Sequence, residues 1–150
     1  MPATDVTLSP ADLSTRLGAI PGSAEVHARH DGLWMSAPAL DVLAMAREMT
    51  GLGFRLCTMT GVAGENGETT VIYHWMRADQ AVHLKTSTRS GALPSLATTV
   101  RPASWIEREI HDFFGAKFTG HPNLAPLFRP APLKEGFFRD ADEAAPPVQK

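Results

Sequence analysis

SWIEREIHDFFG, residues 104–115, is the stretch that decides the fold of this chain. Its apolar side chains that recur at helical spacing are Ile106, Ile110, Phe113 and Phe114. This spacing predicts a helix with one apolar face, which must pack on another element. Ser104 and Glu107 have the arrangement of a capping box, and Gly115 is the residue type that most often ends a helix.

The same stretch carries charged side chains at helical spacing. Glu107 and His111 lie four residues apart, as do Arg108 and Asp112, so each pair can touch on one helix face. Exposed ion pairs of this kind contribute only about 0–1 kcal/mol and are common on solvated faces. Taken alone, the charges therefore indicate a helix docked on a sheet with a solvated outer side.

The chain before this helix predicts a first helix, a β-hairpin and a second helix. A cap at Ser9 begins a helix that should end at Gly18. Residues 25–35 form two short strand-like segments joined by the two-residue turn Asp31-Gly32. From residue 39 to residue 50, apolar side chains recur at helical spacing and predict the second helix.

Three strand-like segments follow, and they cover residues 54–60, 69–76 and 81–86. Their short connections predict an antiparallel meander. After Gly115, four prolines prevent regular structure, so residues 118–138 should run as an extended, Pro-rich C-terminal strap. We therefore predict an α+β fold, with a mixed or antiparallel sheet packed against helices in a single domain over residues 1–139, and a disordered acidic tail at 140–150.

Composition narrows the function. The chain has 150 residues, 43% of them hydrophobic and 20% charged, which is typical of one globular domain with a packed core. A formal net charge of -2 and the lack of a basic stripe make nucleic acid an unexpected partner. We find no signal-like start and no long apolar run, so we expect a cytoplasmic protein that reaches a membrane only through partners.

Reactive residues are few. Cys57 cannot form an internal disulfide or supply the four thiolates of an iron–sulfur cluster, and its strand setting predicts a buried small hydrophobe. The glycines of residues 61–67 join two strands, which favours a hairpin loop over a phosphate loop. The spacing of His111 and His121 matches no zinc motif. We therefore predict no metal site, no cofactor and no catalytic residue.

A family resemblance rests on two motifs. Glu107-Arg108-Glu109, then Asp112-Phe113-Phe114-Gly115, and finally Gly120-His121-Pro122-Asn123-Leu124, resemble the signature of the 30-kilodalton subunit of respiratory complex I. Complex I is the NADH dehydrogenase of the respiratory chain, and this family is its C-type component. The order and spacing of the hairpin, the second helix and the strands are similar too, so the resemblance covers roughly residues 24–139.

The resemblance implies a structural role. Members are soluble α+β subunits without cofactors, non-catalytic alone, in the peripheral arm of a quinone-reducing oxidoreductase of the respiratory chain. They pack on the hydrogenase-large-like subunit near iron–sulfur subunits, on the cytoplasmic face of the inner membrane. Relatives also occur in membrane-bound [NiFe] hydrogenases and formate hydrogenlyase-type complexes. The signature does not separate these two settings.

The resemblance also implies a partner-binding surface. Its residues are Glu107, Arg108, Glu109, Asp112, Phe113, Phe114, Gly115, His121, Pro122 and Leu124. The charged residues would contact the partner, the aromatic pair would anchor the helix, and the glycine would permit the turn. The stretch Ala125-Pro126-Leu127-Phe128 stands where the family typically has basic residues, which favours a hydrogenase-type or divergent complex.

Two other functions remain open from the residues alone. The chain could be a free-standing binding module with a different partner. It could also be a small metal-dependent hydrolase that uses the cluster of Glu107 and His111. Dependence on the other subunits of a complex separates the subunit interpretation from these two.

Overall fold

The computed structural model describes residues 8–89, 92–130 and 132–139. Its helices are α1 (Pro10–Gly18), α2 (Val42–Gly51) and α3 (Ala103–Phe114), and its strands are β1 (Val26–Arg29), β2 (Gly32–Ser36), β3 (Arg55–Ala63), β4 (Thr69–Arg77), β5 (Gln80–Thr88), β6 (Ala92–Pro94) and β7 (Lys117–Thr119). The predicted tail at 140–150 lies outside the described residues.

A five-stranded sheet organises the chain, in the order β1-β2-β5-β4-β3. The pair β2 and β5 is parallel, whereas the other three pairs are antiparallel, so the sheet is mixed. The strands β6 and β7 form a separate parallel pair. The predicted α+β class and the predicted meander of β3, β4 and β5 are both confirmed.

One side of the sheet faces the helices and forms the core. Alternate side chains of the strands, among them Tyr73, Trp75 and Leu84, are wholly buried there. They pack with the apolar stripes of the helices, which include Leu17 of α1 and Met45 of α2. The outer face of the sheet carries Trp34, His74, His83 and Lys85. None of the three described helices covers it, and these side chains stay half-buried or exposed.

The first two helices follow their capping residues. In α1, the Ser9 hydroxyl accepts a hydrogen bond from the Asp12 amide, and the helix ends at Gly18 as predicted. The second helix begins later than residue 39, because the Asp41 side chain caps it by accepting from the Ala44 amide at 2.8 Å.

The hairpin is confirmed, but its loop is shifted by one residue. Arg29 pairs with Gly32, so the two loop residues are His30 and Asp31. Gly32 is the first residue of β2, and a Cβ on it would clash with the Ala81 carbonyl oxygen of β5. The glycine therefore serves the close approach of two strands rather than the turn.

The edge strand β3 differs from the prediction in two ways. It continues to Ala63 and so includes Gly61, over which the Phe114 and Ile110 side chains of α3 lie. The prediction of a buried Cys57 was wrong, because the strand has a bulge between Leu56 and Thr58 that leaves the thiol exposed.

We expect the contact between α3 and β3 to depend on the missing side chain of Gly61. A Cβ there would lie 2.6 Å from the Phe114 ring, so Gly61→Ala should lower the free energy of unfolding by about 1–3 kcal/mol. Gly51→Ala is the matched control, because nothing lies within 4 Å of the added carbon. In that helix terminus it should raise stability by about 0.5 kcal/mol. Urea denaturation measures both values, and equal effects of the two changes would contradict the proposed packing.

Candidate functional site

The carboxylate of Glu107 is fully enclosed within the fold. Its side chain is 0% exposed. One oxygen accepts from the Ser95 hydroxyl at 2.6 Å, and the other accepts from the Leu96 amide at 2.7 Å. The group therefore ties α3 to the loop that follows β6.

His121 completes this buried network. Its Nε2 lies 3.1 Å from the Ser104 carbonyl oxygen and 3.9 Å from a carboxylate oxygen of Glu107. Its Nδ1 accepts from the Asn123 amide at 2.9 Å, so that nitrogen carries no proton. Nε2 is therefore the nitrogen placed to donate, and the Ser104 carbonyl oxygen is its acceptor.

Burial changes the acidity of this network. It raises the pKa of Glu107 to about 7, against the opposing effect of the hydrogen bonds from Ser95 and Leu96. The neighbouring Tyr73 hydroxyl also has a raised pKa, first because of burial and then because of the charge of Glu107. Among the described residues this hydroxyl has no hydrogen-bond partner. The carboxyl of Glu107 is thus partly protonated near neutral pH.

Asp112 holds the strap against α3. Its Oδ2 accepts from three consecutive amides, those of Leu127, Phe128 and Arg129, at 2.8, 2.9 and 3.2 Å. The Arg129 guanidinium lies 3.4 Å from Oδ1. Burial raises the pKa of Asp112, but the backbone hydrogen bonds and Arg129 together bring it below its ordinary value.

Other contacts fix the strap on both sides of this point. Arg108 donates to the carbonyl oxygens of Ala125 and Pro126 at 2.8 and 3.0 Å. Near the end of the described chain, Arg139 donates to the Phe114 carbonyl at 2.6 Å and to the Glu68 carbonyl at 2.7 Å. The strap therefore runs over its own helix, even though its described part contains no helix or strand beyond β7.

Aromatic rings fill the space between α3 and the strap. Phe113 lies 4.7 Å from Phe138, 5.3 Å from Phe137 and 6.2 Å from Phe128, between ring centroids. We call Phe113, Phe128, Phe137 and Phe138 the aromatic cluster. Its outer members stay accessible, because Phe128 is 59% exposed and Phe138 is 53% exposed.

The structure revises several predicted roles. Glu107 and Asp112 were expected to contact a partner, but both carboxylates are 0% exposed and bonded within the chain. The capping box at Ser104 was wrong, because α3 begins at Ala103 without a side-chain cap and Glu107 bonds to Ser95 and Leu96 instead. The glycine stop was correct, since Gly115 ends α3 with a left-handed φ of 68°.

The remaining predicted residues are placed as follows. Glu109 and Arg108 are half-buried on α3, although the Arg108 guanidinium is committed to the strap. Pro122 is exposed, and Leu124 packs partly against the core. The extended strap was expected to begin at residue 118, but Phe118 lies in β7 and is 2% exposed in this chain's own core.

Sequence reasoning missed the residues that complete the networks. Ser95 and Leu96 come from the loop after β6, and Arg129 and Arg139 come from the strap. No local spacing relates them to α3, so only the tertiary fold brings them together. Within the part of the chain that the structure describes, no three His, Cys, Asp or Glu side chains are grouped as metal ligands would be.

Residues 35–143 match the family described as the 30 Kd subunit of respiratory-chain NADH dehydrogenase. This chain belongs to that family. The resemblance in its signature segment is thereby confirmed. Among curated members, the C-type NADH-quinone oxidoreductase subunit of Ruegeria pomeroyi is 40% identical over 75 residues, which cover 45% of this chain and 38% of that protein.

A longer alignment reaches a fused C/D-type NADH-quinone oxidoreductase subunit of Pseudomonas fluorescens. It is 28% identical over 158 residues, covering 90% of this chain and 26% of that protein. The chain spans less than two fifths of the length of either relative.

Two solved structures share the fold. One is a chain of the membrane-bound sulfane sulfur reductase, an archaeal respiratory membrane complex, with a TM-score of 0.67 and 23% identity over 78% of this chain and 74% of that one. The other is a trypsin-resistant fragment of Nqo5, with a TM-score of 0.58 and 21% identity over 69% of this chain and 90% of that one. Within the described residues, no helix is long and apolar enough to cross a membrane.

In this member of the 30 Kd family, we expect Glu107 to make stability depend on pH. Its pKa rises from an ordinary 4.5 to about 7 on folding, so the folded state binds more protons between these values. Stability should therefore fall as pH rises from 4.5 to 7, by up to about 3 kcal/mol, and this slope should disappear in Glu107→Gln. Urea denaturation across that range measures it. Glu109→Gln on the same helix is the control, and an unchanged slope in Glu107→Gln would contradict the assignment.

The second test concerns Asp112. Asp112→Ala leaves three backbone amides without their acceptor, so it should cost about 2–4 kcal/mol and expose the strap to limited proteolysis. The native contribution should also fade as pH drops through the ordinary range of an aspartate, because folding lowers this pKa. Glu135→Ala is the control, since that carboxylate is 48% exposed and 3.8 Å from Arg129. It should cost less than about 1 kcal/mol, and similar losses in both variants would be evidence against the role of Asp112.

Proposed function

We propose that this chain is a non-catalytic peripheral subunit of a complex I-like NADH:quinone oxidoreductase or of a related membrane-bound hydrogenase. It stabilises a hydrogenase-large-like subunit beside the electron-transfer path and lies close to neighbouring iron–sulfur subunits. It is held at the cytoplasmic face of the membrane by those partners. Membership of the 30 Kd family supports the setting, and the features of α3 and its strap support the role.

The observation that carries the proposal is the aromatic cluster. Phe128 and Phe138 are each more than half exposed, yet ring contacts with Phe113 fix their positions. Large aromatic side chains held in this way are typical anchors of protein interfaces. Because Asp112 and Arg139 already order the strap, docking would lose little conformational entropy.

The buried network fits a structural role better than a catalytic one. Glu107 is 0% exposed, so a substrate has no direct access to its carboxylate. His111 donates from its Nδ1 to the Ala116 carbonyl oxygen at 2.8 Å, and so has a different partner from Glu107. The hydrolase alternative required these two side chains to act together at an accessible site. Their separate bonds favour the subunit role.

We expect the aromatic cluster to be required for assembly. A chain with Phe128→Ser and Phe138→Ser should fold, because both side chains are largely exposed, but it should recover its partners about tenfold less well. The measurement is quantitative mass spectrometry of proteins that co-purify with the affinity-tagged chain from gently solubilised membranes. The unaltered chain should recover a hydrogenase-large-like subunit together with iron–sulfur and membrane subunits.

The control is Leu43→Ser, which removes an exposed apolar side chain, 36% accessible, from α2. It should leave recovery unchanged. Urea denaturation of each variant separates loss of docking from loss of folding. Recovery of the unaltered chain alone from the soluble fraction would contradict the subunit role, and full recovery by the doubly substituted chain would contradict the proposed surface.

A further inference from the structure

The outer face of the five-stranded sheet is cationic. None of the strands β1 to β5 contains an aspartate or a glutamate. The outward positions instead carry exposed basic side chains, namely Arg29, Arg55 and Lys85, and a row of three histidines, His27, His74 and His83. This is unexpected in a chain with 16 acidic and 14 basic residues. The strands themselves therefore contribute no acid to this surface, although Asp31 of the loop between β1 and β2 lies beside Trp34.

Trp34 forms a fixed platform in the middle of this face. Its ring lies 4.5 Å from the His83 ring and 4.8 Å from the Arg29 guanidinium carbon. The indole Nε1 donates to the Asp31 carboxylate at 2.9 Å. These contacts hold a broad aromatic surface between two basic groups, an arrangement that favours binding without reordering.

Beside Trp34 lies a shallow hollow of about 340 Å³. Arg29 and Lys85 lie along its rim, and Ser36 and Ile72 help to line it. Among the described residues, neither Arg29 nor Lys85 makes an ion pair with a carboxylate. The Glu25 carboxylate pairs with His27, 4.0 Å from its Nε2, and the Asp31 carboxylate accepts from Trp34. The hollow therefore offers two unneutralised cations around an apolar floor.

We propose that the outer face docks an acidic, extended segment of a partner protein, with one carboxylate in the hollow between Arg29 and Lys85. The shape and charge of the site fit a side chain that is both negative and attached to apolar neighbours. A membrane surface would be recognised by a cluster of basic residues rather than by a shaped hollow with Trp34 and Ile72 in it. The partner is thus a protein rather than a lipid.

A second copy of this chain is a poor occupant. A two-fold interface would place the outer face against itself, and a surface without carboxylates on its strands would then meet its own positive charges. The outer face is also on the opposite side of the sheet from α3, which packs over Gly61 on the core side. The inferred site is therefore separate from the aromatic cluster and goes beyond the proposed function.

The test places a photo-crosslinking amino acid at Ser36, which is exposed at the edge of the hollow. The full chain is expressed in its own cells and irradiated in intact membranes, and the crosslinked peptides are identified by mass spectrometry. The expected product is a segment of another protein with an excess of Asp and Glu. Its yield should fall about tenfold when Arg29→Glu and Lys85→Glu are introduced together, because both reverse the complementary charge.

A matched control reverses two charges elsewhere. Arg101→Glu with Lys117→Glu gives the same change in net charge on exposed positions outside the five-stranded sheet, and it should leave the yield unchanged. Thermal melting checks that each variant folds, and Arg29→Gln with Lys85→Gln replaces the reversal if that variant does not. Crosslinks only to lipid, only to a second copy, to a segment without excess acid, or to nothing would each overturn the proposal. So would a yield that the charge changes do not alter.

Discussion

One carboxylate, that of Asp112, holds the middle of the strap against α3. Burying a lone carboxylate costs several kcal/mol, so it must find donors. Three consecutive amides of the strap and one guanidinium supply them. Those amides belong to a segment without regular secondary structure. The carboxylate accepts their hydrogen bonds, as the carbonyl groups of a neighbouring strand would in a sheet. Together with the contacts of Arg108 and Arg139, this constraint sets the position of the aromatic cluster.

The two acids of α3 differ in acidity because they differ both in depth of burial and in the number of donors. Asp112 has four donors, and its pKa lies below the ordinary value despite burial. Glu107 has two close donors, one of them a neutral hydroxyl, and its pKa rises to about 7. The Nε2 proton of His121 is too distant to change this balance, because that nitrogen is 3.9 Å from the carboxylate. The pKa values of two carboxylic acids on neighbouring turns of one helix are therefore shifted in opposite directions.

Local rules explain which parts of the fold were predictable. The Ser9 cap, the Gly115 stop and the meander of β3 to β5 depend on neighbouring residues, and sequence patterns report such contacts well. The capping-box prediction at Ser104 failed because Glu107 found better partners in a loop eleven residues earlier. Cys57 was misplaced because a bulge interrupts the alternation of inward and outward residues.

The candidate site was less predictable than the fold. The charged residues of α3 matched a family signature, but the pattern could not tell which of their side chains point inward. A charged motif that marks a family can therefore act as an internal clamp.

The sheet separates two different faces of the molecule. Along β4, Tyr73 and Trp75 point into the core beside the Glu107 network, and His74 between them points to the outer face. The alternation of a single strand thus separates the helix side from the cationic side, with a dry core in between. A partner on one side would meet a surface that the other side does not share. A chain built in this way can connect two neighbours through its rigidity alone, which is a task that needs no reactive group.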